Sequence, residues 1–284
     1  MQDLEGFVSD DELAYGPLES LGWFIEAVPW NAKHIDWGAF EAVVIRTTWD
    51  YQKTPDTFLA ILEQIQNSGV RVENSLDLVR WNINKKYLQK LDACGVPTVP
   101  TVWAEELGPI HEGTILQRLR VKEVVLKALV SANADLTYRL QCGSPDWSEA
   151  AAVLNQRGYL AQPFVNNIVS EGEYSLMYFD GQISHAVLKT PKPGDFRVQE
   201  EHGARIRTVQ PSLSLIAAGA RALAALDSVP LYARADFVRM SGEDFALMEL
   251  ELIEPSLYLR MDEGAAERFA RAVDRRLRDR DDDS

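Results

Sequence analysis

Apolar and polar positions alternate most regularly across Leu231–Met240 and Phe245–Ile253, two β-rich runs separated by Ser-Gly-Glu-Asp. That pattern predicts an antiparallel hairpin. Residues two apart in a strand share a face. Arg234 and Asp236 therefore project together from the first strand and Glu249 and Glu251 from the second, opposite Phe237, Leu250 and Leu252. Crowded carboxylates repel one another unless a cation sits among them. A hairpin whose polar side merely faces water carries the same pattern, so the rest of the chain must decide between the two.

Upstream, the pattern predicts α/β alternation. Pro17–Gly22 reads as the end of a short helix and Trp23–Pro29 as a strand. Ala42–Arg46 is a β-branched run of the kind found in buried parallel strands. An amphipathic helix follows over Thr57–Ser68, stopped by Gly69, and Val70–Glu73 is the next strand. Residues 1–100 thus form a small open α/β domain. Such a domain normally opens on a strand, whereas this chain opens on an acidic loop, so the expectation is a missing first strand and a start that is truncated or internal. Trp81–Cys94 reads as one helix, and Gly95–Thr101, with Pro97 and Pro100, as a rigid linker. Residues 101–170 form a central subdomain with strands at Glu123–Lys127 and Tyr159–Val165, a small-residue loop at Ser131–Asp135 and a helix at Ser148–Gln156. Residues 171–284 form an antiparallel part: strands at Tyr174–Phe179 and Ile183–Leu188 around Asp180-Gly181, a buried helix over Leu213–Leu226, the hairpin, a last helix over Ala265–Arg278, and an apolar-free tail at Asp281–Asp283.

Composition removes several classes of function. The 284 residues carry 29 Lys plus Arg against 43 Asp plus Glu, a formal charge of −14, so no basic excess exists to displace counterions from nucleic acid. No apolar run is long enough to cross a bilayer, and the acidic first residues do not resemble a signal peptide. Two distant cysteines, Cys94 and Cys142, read as reduced thiols, and four scattered histidines argue against structural zinc. These features point to a cytoplasmic protein that binds neither nucleic acid nor membrane.

The polar residues supply the parts of phosphoryl-transfer chemistry. Lys85 or Lys86 precedes the linker, Lys127 closes a strand before a loop, and Lys189, Arg197 and Arg234 add positive charge. Backbone groups of Gln162–Val165 could read an adenine edge, and Glu173 could accept from ribose hydroxyls. Asp236, Glu249 and Glu251 offer hard oxygens suited to Mg²⁺. Singly, each has a plainer reading: a lysine at a strand end is usually a solvated terminus, and Glu173 a turn residue. Neither GxxxxGK[ST] nor GxGxxG is present, so P-loop and dinucleotide-binding readings lack support.

Taken in order, NINKKYL, GVPTVPT, VLK, AQPFV, SEGEYSL, FDGQISHAVLK, GDFRVQ, RAD and ELELIEPS resemble the ATP-grasp superfamily. The likeness is to the branch holding prokaryotic glutathione synthetase and the ribosomal-protein glutamate ligases, and within it to the O-ureidoserine cyclo-ligase group, which GFVSDDEL and RTTWDY also resemble. The resemblance implies an α/β and α+β ATP-grasp fold with an N-terminal open α/β domain. It implies ATP and Mg²⁺ as cofactors and a carboxylate–amine or carboxylate–nucleophile ligase that passes through an acyl-phosphate. By the same resemblance Lys85, Lys127 and Lys189 would serve nucleotide binding, the first two at the phosphates. Gln162, Phe164 and Val165 would line the adenine pocket and Glu173 would hold the ribose. Arg197 and Arg234 would stabilise the transferring phosphoryl group, and Asp236, Glu249 and Glu251 would ligate Mg²⁺. The implied partner is a small amino-acid-like substrate, with a homo-oligomer left open.

This chain departs from the family where Lys127-Ala128 replaces the usual Lys-Pro and Ser-Ala-Asn-Ala replaces a glycine-rich lid. A kinase-like use of the fold, and a non-catalytic nucleotide-binding role, are therefore rival readings. Other residues draw notice. Arg46, Thr47, Trp49 and Asp50 follow the buried strand, either as a substrate wall or as a strand end held by an Arg–Asp pair. His185 is expected to be structural, Glu254 to bond backbone or an arginine, and Tyr258 to seal the pocket.

Overall fold

In the computed structural model, residue 1 and residues 5–278 are described; the Asp281–Asp283 tail lies outside them. The N-terminal part comprises α1 (Tyr15–Ser20), β1 (Ala42–Val44), α2 (Pro55–Asn67) and β2 (Arg71–Glu73). β1 and β2 run parallel with Val43 opposite Val72, joined by α2 as a crossover. α2 starts at Pro55, whose fixed φ suits a first helical turn, and buries Phe58, Leu62 and Ile65 along one stripe. The Phe58 ring stacks on Tyr51 at 4.9 Å and meets Trp30 edge-on at 5.3 Å.

Trp23–Pro29 is not a strand. The run joins no ladder; Trp23 and Ile25 pack against the core beside the last helix, the Trp23 indole donates to Asp274 at 2.9 Å, and Phe24 is 89% exposed. Its alternation reflects packing on a helix rather than sheet pairing. The expected single helix over Trp81–Cys94 is two, α3 (Leu76–Asn82) and α4 (Tyr87–Ala93). In the break the Asn84 side chain accepts from Lys86 N–H at 3.0 Å, and Lys85 N–H donates to Leu129 O at 2.8 Å. Long-range bonds thus replace the helical ones that local propensity favours.

The central part carries β3 (Val102–Trp103), α5 (Ala104–Leu107), α6 (Glu112–Leu119), β4 (Glu123–Ala128), β5 (Thr137–Gln141), α7 (Trp147–Arg157), β6 (Tyr159–Pro163) and α8 (Asn167–Ser170). Its sheet has the order β3-β6-β4-β5, antiparallel throughout. β5 is absent from the sequence-based expectation because TYRLQ is short and carries few buried positions.

The remainder carries β7 (Glu173–Phe179), β8 (Gln182–Thr190), β9 (Arg205–Thr208), α9 (Leu213–Ala224), β10 (Tyr232–Ser241), β11 (Asp244–Glu251) and α10 (Ala265–Arg278). The five strands order as β11-β10-β7-β8-β9, all antiparallel. α9 covers one face, where Leu176, Tyr178, Ala233, Ala235 and Phe237 are buried. Gly219 permits that close approach, since a Cβ there would fall 2.0 Å from the Tyr178 hydroxyl. The opposite face changes character along its length. One half holds Met177, Phe179, Val187 and Tyr232 under α10; the other holds Glu173, Ser175, Lys189, Arg234 and Asp236.

β11 does not end as an open edge. Leu247 exchanges backbone bonds with the proline segment, donating to Pro97 O at 2.8 Å and accepting from Val99 N–H at 3.1 Å. The presumed linker is therefore a short extension of the sheet. Beyond it, Tyr87 Oη accepts from Leu250 N–H at 2.9 Å, while Asn82 bonds Leu250 O at 2.7 Å and Leu252 N–H at 2.9 Å. Asn74, fully buried, donates to Tyr232 O and Leu252 O and accepts from Leu231 N–H. Among the described residues no helix is long and apolar enough to cross a membrane.

Asn74→Ala leaves three buried backbone groups without partners. The expected loss is about 3 kcal/mol of stability, read as a lower urea midpoint; a change below ~0.5 kcal/mol would mean that these bonds are replaceable.

Candidate active site

A cleft lies between the central sheet and the charged half of the C-terminal sheet, with Trp49, Tyr51 and Asn82–Lys85 closing one end. Register builds its floor. Arg234 sits opposite Met177 and Glu251, Asp236 opposite Ser175 and Glu249, and Glu173 opposite Lys189. Directly opposed residues of antiparallel strands share a face, so these charges converge from four neighbouring strands. The hairpin is therefore no ordinary solvent-facing one: Asp236 and Lys189 are each 2% exposed.

Each buried charge of this floor has an opposite partner. Arg234 grips Asp236, with Nε 3.1 Å from both carboxylate oxygens and a terminal nitrogen 3.0 Å from Oδ2, and it also contacts Glu251 and, at 3.2 Å, Ser256 O. Lys189 lies between Glu173 and Asp236, 3.3 Å from the latter, and Ser175 donates to Asp236. Burial works to raise the Asp236 carboxyl, but Arg234 and Lys189 outweigh it and hold the group down to about 2. Burial likewise opposes the Lys189 charge, and Asp236 and Glu173 reverse it, so its pKa is raised. Glu251 differs: burial pushes it up to about 7 against Arg234, and Glu249 and Asp236 add to the rise.

Across the cleft, Lys85 occupies the break between α3 and α4. Its Nζ lies 2.6 Å from Glu249 Oε1 and 3.0 Å from Ser131 O. Lys86, the other candidate, pairs with Glu105 on the surface. Lys127, at the end of β4, lines the same cleft; burial lowers its pKa, Glu249 opposes that, and Lys85 reinforces it. Burial opposes ionisation of Glu249, and Lys85 and Lys127 prevail, lowering its pKa. The loop after Lys127 reaches left-handed conformations without glycine, with φ of +54° at Asn133, +56° at Ala134 and +51° at Leu136. Such conformations strain residues that carry a Cβ.

At the far end, Gln162, Phe164 and Val165 line the cleft. The Gln162 amide donates to Thr101 Oγ1 at 3.0 Å, and the Arg139 guanidinium lies 3.7 Å from the Phe164 ring centroid, whose edge-on neighbour is Phe196 at 6.2 Å. Arg197 is 2.8 Å from Asp195, with its side chain partly exposed at the cleft. Glu173 also lines the cleft, but its carboxylate is engaged by Lys189.

Three expectations need correction. Asp236 shares the face of Glu249 and Glu251 but sits behind Arg234, where its oxygens already have partners; it does not line the cleft. Arg46 pairs with Asp11 at 3.1 Å and with Pro255 O at 2.7 Å, while Asp50 accepts from the Trp30 indole. The Arg–Asp pair within RTTWDY does not exist. Among the described residues the Glu254 side chain reaches neither backbone nor an arginine; its carboxyl bonds the Tyr51 hydroxyl, and its carbonyl accepts from the Trp49 indole at 2.7 Å. Trp49 is thus both packing and wall. Tyr258 does line the pocket, beneath Arg234. His185 is structural: Nε2 donates to Leu257 O and Tyr258 O, and Nδ1 accepts from Ser184, which itself accepts from Arg268. Tyr51, Asn82 and Phe196 went unread as site residues, because nothing in their local pattern separates cleft from core.

Among the described residues, no three acidic, imidazole or thiol side chains already stand together as a metal cage. Glu249 and Glu251 nevertheless present carboxylates to the cleft from adjacent outward positions of β11, the hard-oxygen chemistry that Mg²⁺ prefers. The residues fit that ion, with Asp236 able to join only by giving up contacts to Arg234 and Lys189.

This arrangement of sheets is shared with ATP-grasp ligases of known structure. ATP-grasp ligase PsnB, solved with a phosphomimetic variant of its minimal precursor, Mg and ADP, superposes with a TM-score of 0.65 at 16% identity over 94% of each chain. D-alanine–D-alanine ligase from Bacillus anthracis complexed with ATP gives 0.60 at 13% identity, over 79% of this chain and 76% of that one. At those identities the likeness is one of fold, and it defines the class. Within the class, the crystal structure of D-cycloserine synthetase DcsG matches with a TM-score of 0.82 and 30% identity over 94% of both chains. The cycloserine biosynthesis protein DcsG of Streptomyces lavendulae is 31% identical over 273 residues, 91% of each sequence. Residues 1–74 also match the model of the D-cycloserine synthetase DcsG N-terminal domain. The chain belongs to the D-cycloserine synthetase family of ATP-grasp ligases, and it is an ATP-dependent ligase.

Two outcomes follow. Ala134→Gly relieves a left-handed strain and is expected to stabilise the protein by about 1 kcal/mol; an unchanged or lower melting temperature would show that the loop carries no strain there. Burial lowers the His185 pKa below its ordinary 6.5, Asp262 opposing. A depressed histidine contributes stability above its unfolded pKa that is lost as pH falls through the folded one. Between pH ~7.5 and ~5.5 the wild type should therefore lose more stability than His185→Gln, and parallel urea midpoints would contradict this.

Proposed function

We propose that the protein forms a C–N bond at the carboxylate of a small amino-acid-like substrate, activated by ATP as an acyl-phosphate. The observation that carries this reading is the convergence in one cleft of Lys85, Lys127, Lys189 and Arg234 with Glu173, Glu249 and Glu251, drawn from segments far apart in sequence. Glu249 and Glu251, with Asp236 behind them, would hold Mg²⁺. The ion's role when bound is to neutralise phosphate charge.

The chain's own groups account for the remaining requirements. Lys85, paired with Glu249, and Lys127, whose charge also acts on that carboxylate, would bind ATP phosphates, exchanging a carboxylate partner for phosphate oxygens. Gln162, Phe164 and Val165 would bound the adenine, with the Phe164 ring held by Arg139 and Phe196. Glu173 would take the ribose hydroxyls, and Lys189 fixes its orientation. A substrate carboxylate oxygen attacks the γ-phosphorus, and the bond from that phosphorus to the bridging oxygen of ADP breaks. An amine then attacks the acyl carbon, loses a proton, and phosphate leaves with the bonding electrons. Arg234, prepositioned by Asp236, and Arg197 at the rim would stabilise the charge on the transferring phosphoryl group. The walls supplied by both sheets would exclude water from the acyl-phosphate.

ATP with Mg²⁺ should raise the melting temperature of the wild type, and Glu249→Ala/Glu251→Ala should abolish the rise. Amino acids and their ureido and hydroxamate derivatives, screened for substrate-dependent ADP release with hydroxylamine trapping of the acyl-phosphate, should identify the substrate. Absence of any shift in the wild type would refute the reading.

A further inference from the structure

Glu173, Glu249 and Glu251 each meet a cation in the cleft: Lys189, Lys85 and Arg234 respectively. Glu254 meets none among the described residues, although it is only 7% exposed and lines the same cleft. Its backbone is fixed by the Trp49 indole bond at 2.7 Å, and its carboxyl touches the Tyr51 hydroxyl. Burial pushes this carboxyl well above the ordinary range, and Glu251 adds to the shift. Ionising a buried carboxyl without a cation beside it is costly. A cation bound beside it in the cleft would supply the compensating charge and let the carboxyl ionise.

We propose that Glu254 is the anchor for a cationic ammonium group on the substrate, with the Trp49 and Tyr51 rings forming the walls around it. This rests on the ligase reading and deepens it, because it assigns an orientation. Arg234 and the proposed phosphate-binding lysines attract the reacting carboxylate. Glu254, three residues beyond Glu251 and against the N-terminal part, attracts the opposite pole. A zwitterion is thus held by its two charges, with its carboxylate toward the nucleotide. Aromatic rings beside the site add attraction for a cation and none for a neutral group. The Lys85 charge also acts on Glu254, but its nitrogen is already occupied by Glu249 and Ser131 O.

The test pairs each amino acid, in both configurations, and each ureido and hydroxamate derivative with its desamino counterpart. Turnover is read as ADP release with ATP and Mg²⁺. Wild type should turn over ammonium-bearing members with a kcat/KM ~100-fold above their desamino partners. Glu254→Gln keeps the shape and the Tyr51 contact but removes the charge. It should erase that preference, leave the KM for ATP unchanged, and melt at or above the wild-type temperature. Equal use of amino and desamino members by wild type, or a preference that survives in Glu254→Gln, overturns the assignment. So does an intact ATP–Mg²⁺ thermal shift with no member of the panel turned over. Loss of the thermal shift itself in the wild type would instead remove the ligase reading, which distinguishes the two failures. The wild-type comparison needs no variant to fold.

Discussion

The Arg234 guanidinium clasped on Asp236 is the contact from which the site is built. A buried guanidinium and a buried carboxylate each cost several kcal/mol in isolation, and two-point contact within one strand lets both be buried. Around that pair, Lys189 and Glu173 extend the balance to β7 and β8, and Glu251 extends it to β11. The result is a sheet face that is oil-like at one end and ionic at the other, with no change of parity between them. α10 seals the apolar half, and the central sheet stands over the ionic half.

A second constraint is the edge of β11. An unpaired strand beside a charged cleft would invite pairing with another chain. Here the edge is taken up by Pro97–Val99, Asn82 and Tyr87. These bonds also place the α3–α4 break, and so Lys85, against Glu249. Stability and site geometry are therefore carried by the same contacts. The loop after Lys127 shows the converse: it turns through left-handed positions at Asn133, Ala134 and Leu136 that glycine would occupy at lower cost. Strain of this kind persists where surrounding structure overdetermines the backbone. Lys85 supplies that restraint through Leu129 O and Ser131 O.

Much was legible before the coordinates. The β10–β11 hairpin, the parallel β1–β2 pair with its crossover helix, and α7, α9 and α10 follow from periodicity, because each has a face that must be buried. The convergence of Arg234, Glu249 and Glu251 follows from strand parity. The errors share a cause. Trp23–Pro29 alternates as a strand does but packs on α10, and Trp81–Cys94 has helical spacing but is opened by bonds to residues over 40 positions away. β9, four residues with little burial, carries almost no local signal.

Local pattern alone determined which residues lie together on a strand or helix face, since side-chain period is a property of the backbone. It also determined the superfamily, through the order of motifs along the chain. Only the folded chain decided which charges neutralise one another: that Arg234 screens Asp236 from the cleft, that Lys85 rather than Lys86 turns inward, and that Glu254 meets the Tyr51 hydroxyl but no cation among the described residues. Pairing depends on distances between segments remote in sequence and on how much water each group loses. Neither quantity exists until the sheets have closed over the cleft.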